Sequence, residues 1–142
     1  MTRSQSMRFI GGLTLLALVM AAQALMPSAA DSSLLTGAIL DAGHVPLFFV
    51  FALLVLWLSR STVPGTGARH YVVAFALVVI AGLGTEFIQK FGARDAGWSD
   101  FARDLLGGGS ALLVAFAFGA ASARARVFAL SLAALLFGVG AA

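Results

Sequence analysis

Residues 71–88 read YVVAFALVVIAGLGTEFI: fifteen uncharged residues, then Glu86. A helix needs ~20 apolar residues to cross ~30 Å of hydrocarbon, so this run is close to a membrane span with an acid at its far end. The surrounding composition agrees. The chain of 142 residues is 61% hydrophobic and 11% charged, against roughly 45–50% apolar and about 25% charged in soluble domains. Its mean hydropathy is +1.00. A soluble chain of this size cannot bury that much apolar surface, so its natural solvent is a bilayer.

Working outward, four or five apolar segments separate: about 9–26, closed by Pro27, then 45–58, 71–88, 105–121 and 127–142. Several are short for a span, which flanking residues that snorkel or a thinned bilayer accommodate. The last two are also compatible with one broken hairpin that never fully crosses. The N-terminal segment has a rival reading, because Arg3, Arg8, an apolar stretch and Ala22-Gln23-Ala24 together resemble a cleavable secretory signal. Against it, Leu25-Met26-Pro27 continues the apolar stretch past the cut.

Charge sets the orientation. With a cytoplasmic N-terminus, inner segments 1–8, 59–70 and 122–126 carry Arg3, Arg8, Arg60, Arg69, Arg124 and Arg126 and no acid. Outer segments 27–44 and 86–104 carry all six acids (Asp31, Asp41, Glu86, Asp95, Asp100 and Asp104) and only Lys90, Arg94 and Arg103. This is the positive-inside pattern in every loop. The expected fold is an all-α polytopic transmembrane helical bundle of four to five spans, one membrane domain over residues 1–142. The sequence pI is near 10.7, but its nine bases are spread out and form no patch dense enough for nucleic acid. No cysteine is present, which excludes disulfides and thiolate metal sites.

The polar residues gather. The window 82–109, GLGTEFIQKFGARDAGWSDFARDLLGGG, holds four of the six acids. Glu86 and Gln89 are three apart and share a helix face; an acid at that depth is costly and is by default a functional-site candidate, although a carboxylate at a helix end can also snorkel to water. Asp41 and His44 are three apart on the same outer side, where Asp41 also suits a helix N-cap before Pro46. Asp100 and Asp104, four apart with Arg103 beside them, follow Arg94 and lead into Gly107-Gly108-Gly109. Acids in a first turn favour the helix dipole, and small residues permit close helix contact. Three clusters from three spans thus meet one side of the membrane and suggest a shared outward-facing pocket.

The order Asp41-x-x-His44, Gly82-x-x-x-Glu86-Phe-x-Gln89, Arg94, Asp100-x-x-x-Asp104-x-x-Gly107 resembles the signature of the VanZ-like family. These are small multi-spanning bacterial membrane proteins named for a member linked to low-level teicoplanin resistance. The resemblance covers about residues 9–121 and leaves 127–142 as an extra C-terminal apolar helix. The family commonly has Lys where this chain has Ala42, and Asn where it has Asp104. The resemblance implies the bacterial inner membrane and a cell-envelope role.

Two uses of the site follow. In the first, the chain is an enzyme acting on a lipid-linked or envelope substrate. Glu86 or Asp100 is then the general base and His44 its partner, oriented by Asp41; Arg94 holds a phosphate or carboxylate, and Gln89 and Asp104 contact substrate. In the second, the cluster is a structural or docking network of a non-catalytic accessory protein. Asp41, His44, Glu86, Asp100 and Asp104 are also of the right type for a divalent ion, yet no dedicated ligand motif accompanies them, and the sequence assigns no metal and no cofactor.

Overall fold

The computed structural model describes residues 43–90 and 97–141, together with positions 7, 10–12, 14, 15, 18 and 21. The described residues are helical with no strand, so the expected all-α helical bundle is what forms. Four helices are long and apolar enough to cross a membrane: α1 (His44–Thr62), α2 (Gly67–Gln89), α3 (Trp98–Gly119) and α4 (Ala123–Ala141). At 1.5 Å per residue they measure roughly 28–35 Å, the thickness of a hydrocarbon core. The chain is a multi-pass membrane protein. Asp41, Arg94 and the alanines of the signal-like cleavage site lie outside the described residues.

The helices overrun the hydropathy segments at their charged ends. Arg60 lies in the last turn of α1, Arg69 in the first turn of α2, and Arg124 and Arg126 in the first turn of α4. Long basic side chains allow this, because their stems cover apolar surface while the heads reach water. The largest overrun is in α3, which begins at Trp98 rather than near Leu105. The polar stretch WSDFARD is helical because Asp100 and Asp104 face the bundle interior, not lipid, so hydropathy is blind to it.

Short connectors make the helices antiparallel neighbours. Residues 63–66 link α1 to α2: Val63 is extended before Pro64, and Gly65 takes φ 137°, a backbone state suited to glycine. The two last apolar segments form separate helices rather than one broken hairpin. Ser122 caps α4 by accepting a bond from the Ala125 N–H at 3.2 Å.

The core runs down the middle of α1, with Phe48, Phe51, Ala52, Val55 and Leu56 packed on Ala74 and Val78 of α2 and Ala111 and Leu112 of α3. α3 is the central element and packs against the other three helices. Glycines allow the closest approaches. A methyl at Gly107 would collide with the Val45 carbonyl, and one at Gly108 would strike Val78. Gly140 of α4 rests against Val45 and Leu106. Near the N-terminus, the helical positions include Gly12, which is buried against Trp57 and Leu58. The outer surface carries large exposed apolar side chains, among them Val72, Ile80, Phe118, Phe128 and Val139. In a bilayer this surface needs no protein partner.

Candidate functional site

The site grows out of the Gly107–Val45 contact. With no side chain at Gly107, α1 and α3 come together backbone to backbone at the start of α1. His44 precedes Val45, and Asp104 lies one turn before Gly107. The close approach therefore brings them together: Nδ1–H of His44 donates to Oδ1 of Asp104 at 3.0 Å, across sixty positions of sequence. Both are buried, at 1% and 0% exposure. A carboxylate only accepts, so the bond selects the tautomer with the proton on Nδ1 and presents Nε2 as the basic nitrogen.

α2 supplies the third wall. Gly82 leaves room for the Asp104 carboxylate, whose Oδ2 is 3.4 Å from where a Cβ would stand, and for the Phe101 ring. One turn on, Glu86 sits within electrostatic reach of Asp100, Asp104 and His44 and accepts a hydrogen bond from the Gly97 backbone. Its Oε1 is buried and has no hydrogen-bond partner among the described residues. Thr85, also buried, spends its hydroxyl on the Gly82 carbonyl at 2.8 Å. Asp100 is buried at 8% and accepts from Nη1 of Arg103 at 3.2 Å. The helix ends thus carry three carboxylates into one place, with an imidazole and a guanidinium between them.

Beside Glu86 a pocket of about 220 Å³ opens between α2 and α3, lined by Leu83, Phe87, Lys90, Gly97, Trp98 and Phe101 as well as Glu86. Trp98 and Phe101 meet edge to face, with ring centroids 6.1 Å apart.

Of the residues picked out by sequence, His44, Glu86, Asp100 and Asp104 converge. Gln89 closes α2, and its side chain is not among those described; Asp41 and Arg94 lie outside the described residues. Among the described residues Asp104 orients His44; the orienting role expected of Asp41 falls outside them. Being wholly buried, Asp104 is suited to holding the imidazole rather than to meeting a substrate. Reading by local spacing also missed the pocket lining: Lys90, Leu83 and the Trp98–Phe101 pair. A Trp at the polar end of a span was the available signal, since aromatic residues favour that depth. Among the described residues no three His, Asp or Glu side chains are arranged to hold a metal ion.

The opposite end of the bundle bears no acid among the described residues. Arg60 donates to the Tyr71 hydroxyl at 3.0 Å and lies 5.5 Å from its ring centroid, and Arg69, Arg124 and Arg126 are exposed. Set against known protein families, curated proteins and solved structures, the chain matches none of them.

Proposed function

We propose that the chain is a VanZ-like protein of the bacterial inner membrane, acting on a cell-envelope or lipid-linked substrate at its outward polar end. The observation that carries this is the Oε1 of Glu86, which has no partner among the described residues and is buried near the His44–Asp104 pair and next to an open pocket. A half-buried acid with one enclosed carboxylate oxygen is costly at this depth of a membrane protein, and such residues by default mark function. The orientation rests on charge. Of the five described arginines, Arg60, Arg69, Arg124 and Arg126 occupy the end opposite Glu86, Asp100 and Asp104, as a positive cytoplasmic face requires, and Arg103 alone stands with the acids.

In this reading Glu86 is the general base for a hydroxyl or water of the substrate. His44, held by Asp104, receives or returns the proton. Arg103 offsets part of the negative charge at Asp100. The buried core of Phe48, Phe51, Val55 and Leu112 separates the site from the arginine end, which favours surface chemistry at one interface over passage through the bundle.

The test is growth on teicoplanin of cells expressing the chain or its Glu86→Gln and His44→Gln variants, with membrane abundance measured for each. Protection lost at normal abundance supports the reading; protection unchanged in Glu86→Gln overturns it. A non-catalytic docking role is the second reading, favoured by the pairing of His44 with Asp104 and of Arg103 with Asp100 within the cluster. It is distinguished by variants whose loss of protection follows their loss of stability.

A further inference from the structure

The pocket beside Glu86 has walls of two kinds. Leu83, Phe87 and Trp98 line it and are also exposed on the outside of the bundle, at 45%, 64% and 82%. In a membrane protein that outside is lipid, so the pocket opens sideways toward the acyl chains near the interface. Its polar lining is Lys90, at the end of α2, and Glu86, one helical turn earlier. Lys90 has no ion pair among the described residues, and Glu86 Oε1 has no donor. Residues four apart on a helix share a face, so the pocket offers a cation and an acceptor on the same side of α2.

We infer that the pocket binds a phospholipid of the amine-bearing class, admitted laterally from the bilayer, with its phosphate on Lys90 and its primary ammonium on Glu86. This rests on the reading of Glu86 as the working carboxylate of the site. The carboxylate in the pocket lining selects the amine: Glu86 Oε1 has no donor among the described residues, and a primary ammonium supplies one. The ammonium donates up to three hydrogen bonds, which a quaternary amine cannot. One acyl chain then lies along Leu83, Phe87 and Trp98.

Trp98 reports occupancy. The chain has two tryptophans, so Trp57→Phe leaves Trp98 alone in the pocket wall. The protein is placed in nanodiscs of unlabelled phosphatidylcholine containing a minor fraction of lipid brominated on its acyl chains, either phosphatidylethanolamine or phosphatidylcholine. The ethanolamine lipid is expected to quench Trp98 at about one fifth the mole fraction that the choline lipid needs, the effect of one charge-assisted hydrogen bond that only the primary ammonium can donate. Glu86→Gln is expected to abolish that preference, whereas Lys90→Gln is expected to weaken quenching by both lipids alike, since both carry the phosphate; Lys90 is exposed, so its variant does not threaten the fold. Equal quenching by the two lipids overturns the proposal. Relief of quenching by soluble phosphoethanolamine also overturns it, since a water-borne headgroup would then suffice. The two ideas fail separately: equal quenching with protection lost in Glu86→Gln removes the lipid and leaves the site, whereas selective quenching with protection intact leaves a lipid-binding protein without the proposed activity.

Discussion

The two ends of the bundle use buried histidines in opposite ways. At the acid end, His44 is held by the side chain of Asp104 and stands among Glu86 and Asp100. At the arginine end, His70 is buried at 8%, its Nδ1 has no partner among the described residues, and only its backbone carbonyl is engaged, accepting from Ser59 Oγ at 3.4 Å. Charges at the acid end turn inward between three helices; those of Arg60, Arg69 and Arg124 turn outward. Similar helices in one solvent thus keep charge in two ways. Inward charge requires close helix approach and mutual pairing, whereas outward charge requires only length of side chain.

The sharpest break of this contrast is a test of which end faces out. With no native cysteine to interfere, Gly97→Cys and Thr66→Cys report the two ends directly. An impermeant thiol reagent on intact cells is expected to label the first and leave the second untouched; the reverse pattern overturns the outward orientation. Next in size is Gly107→Ala. Its methyl meets the Val45 backbone, which cannot yield like a side chain, so a loss of about 3 kcal/mol or more is expected in unfolding titrations. Gly119→Ala, near the arginine end with open space around it, is the matched control and should change stability little.

A smaller effect is expected at Asp104. Asp104→Ala leaves the His44 N–H without its acceptor and should cost about 1–3 kcal/mol, while Asp104→Asn retains an acceptor oxygen and should cost less. Equal losses for the two would mean that charge, not the hydrogen bond, holds His44. The smallest is Tyr71→Phe, which removes the bond from Arg60 but keeps the ring under the guanidinium; about 0.5 kcal/mol or less is expected for an exposed contact of this kind.

Much of the bundle was readable because apolar length and arginine placement are local properties. The segments at 45–58 and 71–88 lie inside α1 and α2, and the small-residue reading of Gly107-Gly108-Gly109 is met by two close helix contacts. The start of α3 was missed for a physical reason: hydropathy measures affinity for lipid, and Asp100 and Asp104 are solvated by other helices. The convergence of His44, Glu86, Asp100 and Asp104 on one end followed from counting spans. The His44–Asp104 bond did not, because local spacing says nothing of a partner sixty positions away. That bond depends on where α1 and α3 cross, and no single segment encodes it.

The crossing at Val45 and Gly107 also bears on how the molecule is built. α1 with α2 and α3 with α4 are hairpins, each able to insert by itself, and the His44–Asp104 bond joins one hairpin to the other. Until they dock, neither Asp104 nor His44 has this partner, and docking forms the bond. The pair therefore acts as a latch that closes after insertion, so the pocket cannot exist on a half-assembled chain.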